Sequence, residues 1–217
     1  MIRRWSSLLS SRKYCKRRWM NFLFMSKFNN DYIIMMDDIV REGDPILRVV
    51  TEPVSMPPSQ EDREEMAAML RFLRYSQDPE MSKKYKLRAG VGLSANQIGL
   101  NKRMFAALLT DDQGNEKEYA MYNPKIVSYS VSMTYLPESE GCLSVDRAVQ
   151  GFVPRYEKVK ILTYDEQGNE RKLRFKGFDA IVMQHEMDHL NGVMFFDHIN
   201  KEHPFKLPSG VQISSLY

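Results

Sequence analysis

The stretch His185-Glu186-Met187-Asp188-His189 places two imidazoles four residues apart with a carboxylate between them. On an α-helix, residues i and i+4 share a face, so both rings can grip one metal ion while Glu186 stands beside whatever that ion binds. A shuffled chain of this composition would contain His-Glu-x-x-His only about 0.005 times, so chance is a poor explanation. Two histidines leave a metal site incomplete. Cys142 is the best third ligand, because in Glu140-Gly141-Cys142-Leu143-Ser144 a glycine lets the backbone come close to a ligand and a polar residue stands at each end. The other cysteine, Cys15, lies in an N-terminal segment of different composition, which argues against a structural disulfide and for a reducing compartment. One thiolate, two imidazoles and an open fourth position form a catalytic metal site, where the cation lowers the pKa of a water and Glu186 serves as general base, then general acid. Such a donor set suits zinc, ferrous iron, cobalt or nickel.

These residues need elements to hold them. Around the histidines, Ile181, Val182 and Leu190 are apolar, Asp179 is placed to cap a helix start, and Asn191-Gly192 supplies its stop. Upstream, Pro53, Pro57 and Pro58 keep the chain extended before Ser59 caps a helix with an acidic first turn and an apolar stripe of Met66, Met69, Leu70 and Leu73. Asp78-Pro79 ends that helix, and the Lys83-Lys84-Tyr85-Lys86 insertion reads as a solvated face. Strands are expected over 104–109, 118–122 and 128–136, with Asp111 to Asn115 as a hairpin turn. A second hairpin joins 159–164 to 171–175 through Asp165 to Asn169. The fold class is α+β, with antiparallel strands packed around a central metal-binding helix.

Three stretches in one order now carry a resemblance: Gly90-Val91-Gly92-Leu93-Ser94-Ala95-Asn96-Gln97, Glu140 to Ser144, and His185 to His189. Together the chain resembles the peptide deformylases, which remove the N-formyl group from newly made polypeptides. The likeness covers roughly residues 36 to 217 and, in the insertion before the first motif and a non-helical tail, is similar to the Gram-positive type II branch. The departures are Ser94 for a usual alanine and Asn96 for a common proline; neither removes a catalytic atom. The resemblance implies ferrous iron (Fe2+) in preference to Zn2+, Ni2+ or Co2+. It also implies that the Gln97 side-chain amide and the Leu143 backbone N–H donate to the charge developing on the formyl oxygen. Gly92 can admit an extended substrate backbone, Ile181 and Val182 are placed to line a methionine pocket, and Arg155 with Asp188 resembles a pair bracing the metal helix against the cysteine segment. Expected partners are N-formyl-Met nascent peptides and, transiently, the ribosome. No DNA and no membrane partner is expected, and the chain is expected to be a monomer.

At 217 residues one domain is the default. The formal charge of +3 hides an asymmetry: residues 1 to 30 hold eight Lys or Arg and no acid, leaving 23 basic against 28 acidic residues beyond. No apolar run approaches the ~18 to 20 residues that cross a bilayer. The catalytic domain is expected over 35–217, with 1–34 a basic extension dispensable for chemistry. That extension reads as a start assigned too far upstream before Met35-Met36, ahead of a transit peptide or an RNA-binding arm. A bacterial cytoplasm is the expected location, or an organelle if 1–34 is a transit peptide. The nearest rival is a zinc metallopeptidase of the His-Glu-x-x-His type. In its extended pattern a third His falls three residues past the glycine, where this chain has Phe195; His198 is out of register. An RNA-binding module driven by the N-terminus is the rival of another class.

Overall fold

The computed structural model describes residues 27–29, 31–111 and 113–217. Cys15 and most of the basic extension lie outside them. Ser59 accepts the Asp62 N–H and Asp62 bonds back to Ser59, a reciprocal cap that starts α1, Gln60–Gln77. Asp78 closes α1 and, with Pro79 at the first helical position, opens a short second helix, α2, Pro79–Tyr85. The insertion read as merely solvated is therefore helical, with Lys83 and Lys84 on its exposed side.

Five strands form an antiparallel sheet in the order β1, β2, β3, β6, β7. They are β1 (Gly92–Ser94), β2 (Met104–Thr110), β3 (Glu116–Tyr129), β6 (Lys158–Tyr164) and β7 (Glu170–Lys176). Both expected hairpins are present, β2 with β3 and β6 with β7. The strand expected over 128–136 is instead divided. β3 runs on to Tyr129 through register shifts, and β4 (Met133–Tyr135) leaves it to join a second sheet with β5 (Arg155–Tyr156) and, in parallel, β8 (Ile213–Ser215). The physical reason is a turn at Ser130, whose hydroxyl bonds the Ser132 carbonyl and directs the chain away.

Strand alternation divides the core. Met104, Ala106 and Leu108 of β2 join Met66, Met69, Phe72 and Leu73 of α1, whereas Phe105, Ala107 and Leu109 join Ala180, Met183, Met187 and Leu190 of α3, Gly177–Leu190. β2 is thus buried on both faces. Phe28 and Ile34, ahead of the expected boundary, are also buried in the α1 cluster. Helix α3 begins without a side-chain cap: Lys176 is the N-cap, and Asp179 sits inside the first turn rather than at its start. Its end is closed from outside, since the Leu190 carbonyl accepts from Thr51 N–H, the Thr51 hydroxyl and Arg103. Gly192 then turns with φ +72°, and a Cβ there would lie 2.6 Å from the Arg48 carbonyl oxygen, so only glycine fits this stop.

Candidate active site

Helix α3 is buried on most of its circumference, which is how it can carry ionisable groups into the interior. His185 and His189 lie on one face with ring centroids 5.0 Å apart, and Cys142 approaches from the loop after β4. The ligand atoms of these three residues all lie within 4.8 Å of one another, the one such group among the described residues. Cys142 Sγ is 3.3 Å from His189 Nε2. His185 Nδ1 is turned outward to Glu140 Oε2 at 2.8 Å, which leaves Nε2 for a metal. Burial would raise the Cys142 thiol, yet the two histidines hold it well below the ordinary cysteine value, favouring thiolate. The donor set therefore fits a divalent cation with a position to spare.

Glu140 is the residue that reasoning from the sequence missed, although it stood in the second motif. It bonds His185 on one side and Arg155 on the other, Nε to Oε1 at 2.8 Å and Nη2 to Oε2 at 2.9 Å. Burial would raise its carboxyl, but the fixed Arg155 charge and the His185 bond lower it to about 2. Arg155 continues to Asp188, and Asp188 to His198 Nε2 at 2.7 Å. The brace expected of Arg155 and Asp188 is thus longer than a pair, and it runs from a metal ligand to a half-exposed histidine. Because the folded Glu140 pKa is depressed, its contribution to stability is full above the ordinary carboxylate range and is lost as pH falls through about 2.

A cavity of about 480 Å³ opens onto these groups, within the size range of small-ligand sites. Cys142, His185, Glu186, Gln97, Leu143, Gly92, Ile181 and Val182 all line it. Further lining residues went unmarked in the sequence, among them Gln77 at the end of α1, Arg88 in the loop before β1 and Phe178 at the start of α3, which share no local pattern. Gln97 Nε2 reaches Ser144 Oγ at 3.1 Å and Cys142 Sγ at 3.5 Å, while its Oε1 accepts the Ser94 N–H at 2.9 Å. That acceptor bond orients the amide with its N–H group toward the cysteine. The Leu143 N–H meets no acceptor among the described residues and stays available to a ligand. Burial raises the Glu186 carboxyl above its ordinary value, against the lowering by both histidines and Ser94. Such a carboxyl can accept and release a proton.

The two departures in the first motif both reach α3. Ser94 Oγ donates to Glu186 Oε2 at 2.6 Å, and Asn96 Nδ2 donates to the His189 carbonyl at 2.6 Å. Gly92 faces Glu186 so closely that a Cβ would stand 2.3 Å from its Oε1, so here the missing side chain makes room for the chain's own carboxylate.

Comparison with known proteins agrees with this geometry. The polypeptide deformylase family model matches residues 36–205. Peptide deformylase 2 of Bacillus anthracis is 55% identical over 178 residues, covering 82% of this chain and 97% of that protein. Peptide deformylase 2 of Bacillus subtilis is 52% identical over 176 residues, covering 81% and 96%. Among solved structures, the peptide deformylase of Thermotoga maritima superposes with a TM-score of 0.61 at 29% identity, covering 75% of this chain and 96% of its own. The Acinetobacter baumannii enzyme, bound to Met-Ala-Ser, gives 0.59 at 29% identity, covering 74% and 96%. With its buried Cys142, His185 and His189 set under the antiparallel sheet, the chain belongs to the peptide deformylase family, hydrolases that remove the N-formyl group from nascent peptides.

Proposed function

We propose that this chain deformylates N-formyl-Met peptides with Glu186 as the proton carrier and Gln97 and Leu143 as the donors to the formyl oxygen. The observation that supports the division of labour is that Glu186 lines the cavity beside the three ligands without being one of them. Cys142, His185 and His189 would hold the cation, which would polarise the formyl group and lower the pKa of the attacking water. Glu186 takes the proton of that water and delivers it to the departing amine. The Gln97 amide and the Leu143 N–H hold donors in place before charge appears on the formyl oxygen. Ile181 and Val182 give the cavity an apolar wall suited to a methionine side chain, and the Met-Ala-Ser complex of the Acinetobacter relative supports a peptide beginning with Met. β1 ends the sheet, so its outer edge, with Gly92, can take an extended peptide as a further strand. Ferrous iron is the metal proposed, resting on the thiolate-imidazole donor set and the family resemblance. Metal analysis of protein purified without oxygen, coupled to formate release from formyl-Met-Ala-Ser, tests both readings. Cleavage of the Met-Ala peptide bond in place of formate release would favour the metallopeptidase instead.

The catalytic residues are proposed to need nothing before Met35, and the protein to act as a monomer in a bacterial cytoplasm, a location supported by its Bacillus relatives. A chain starting at Met36 should release formate at the full-length rate. It should nevertheless melt lower by roughly 5–10 °C, because it loses the buried Phe28 and Ile34, together worth about 2–4 kcal/mol after the cost of ordering the segment. Calorimetry beside the assay separates the two effects, and equal melting temperatures would show that these contacts contribute nothing.

Ribosome contact is proposed through the outer face of β6 and β7. Lys158 stands opposite Lys176 and Lys160 opposite Arg174, and Lys125 of β3 and Lys172 flank Leu162 between them. Like charges directly opposed across strands destabilise a sheet, and Lys125, Lys160, Arg174 and Lys176 have no carboxylate partner among the described residues. A polyanion such as ribosomal RNA would relieve that repulsion. Wild-type protein should co-sediment with purified bacterial ribosomes at low salt, and a Lys160→Glu, Arg174→Glu double variant should not, with hydrolysis of free peptide unchanged. Equal sedimentation of the two would remove this face from consideration.

A further inference from the structure

Glu186 is held on two sides by β1. Its Oε2 accepts the hydroxyl of Ser94, which is fully buried, at 2.6 Å, and its Oε1 packs against Gly92, the residue that lines the cavity with it. The two carboxylate oxygens are therefore not equivalent: one is engaged by the protein, and the other has no hydrogen-bond donor among the described residues. A glutamate has three rotatable bonds, and its terminal torsion is broad and nearly two-fold, so burial alone does not set the plane of the carboxylate. A short bond from a hydroxyl fixed in a strand does.

We infer that Ser94 is a positioning residue for deformylation, whose hydroxyl pins Glu186 Oε2 so that Oε1 is presented to the cavity in one orientation. This rests on the reading of Glu186 as the proton carrier. An alanine at this place would have no hydroxyl to donate. Ser94 Oγ also lies 3.2 Å from the Glu186 backbone carbonyl, and its single proton is directed to the nearer acceptor, Oε2. Gly92 completes the arrangement, because any side chain there would occupy the space of Oε1.

The test uses the full-length, metal-loaded protein with formyl-Met-Ala-Ser. Ser94→Ala should lower kcat roughly 10- to 150-fold, the range expected for losing a hydrogen bond to a charged group, with KM and metal content unchanged. Ser94→Thr, which keeps the hydroxyl, should retain the wild-type kcat. A crystal structure of Ser94→Ala should show the Glu186 carboxylate turned away from Gly92, a readout independent of activity. Wild-type kcat in Ser94→Ala, or an unmoved Glu186 in its crystal structure, overturns the proposal. Should the extra methyl of Ser94→Thr unfold the chain, as thermal melting would show, the crystal structure of Ser94→Ala decides alone. Glu186→Gln measured in parallel separates the two readings. Turnover retained there overturns both, whereas an inactive Glu186→Gln beside an unaffected Ser94→Ala removes only the role of Ser94.

Discussion

Glu186→Gln should retain its metal and lose roughly 10²–10⁴-fold in kcat, the range that a positioned general acid–base group contributes. The substitution keeps the shape of the side chain, and its amide can still meet the Ser94 hydroxyl, so the wall formed by Gly92 and Ser94 remains filled. What disappears is a group able to take a proton and give it back. Since Glu186 is not one of the three ligands, metal content measured on the same sample should equal that of wild type. The affinity for a formyl-Met peptide should also change little, which places the loss in kcat rather than KM. Turnover like that of wild type in a metal-loaded Glu186→Gln would remove the residue from the chemistry.

Cys142→Ser and His189→Ala should each lose metal and activity together. Both substitutions take away one of the three ligand residues found among the described ones, and the replacement in each case binds a divalent cation poorly or not at all. The loss of metal affinity should exceed the roughly 10–100-fold that follows from removing a hydrogen-bond partner of a ligand. Glu140→Gln provides that smaller comparison within the same protein, because Glu140 is bonded to His185 and Arg155 and is not one of the three ligands. Metal-to-protein ratios after dialysis against a chelator should rank wild type first, Glu140→Gln next and the ligand variants last. Full occupancy in Cys142→Ser with unchanged turnover would exclude the cysteine as a ligand.

The ligand set, the carboxylate beside it and the α+β class were legible in the residues because their rules are local. Two histidines four apart meet on one helical face wherever that helix lies, and alternation of apolar residues marks a strand before its partners are known. The reciprocal cap at Ser59 and the two Asp-to-Asn turns are equally short-range. Where several local signals compete, the neighbouring elements decide between them. Asp179 is a sound capping residue in a place where the chain arrives from β7 with Gly177 already turning, so the helix starts three residues earlier, after Lys176. Pro79 was a sound stop that also serves as a first helical residue, and the segment beyond it coils again.

What only the tertiary structure decided concerns residues that act across the chain. Glu140 orients His185 over 45 positions, Ser94 reaches Glu186 over 92, and Asn96 holds the end of the same helix over 93. No periodicity links such pairs; they meet because the sheet sets β1 and α3 face to face, with β2 buried between two cores. The sequence by itself determined which atoms could bind a metal and move a proton. Their orientation was decided by packing, since a buried carboxylate or imidazole takes its direction from the hydrogen-bond partners that the fold brings to it.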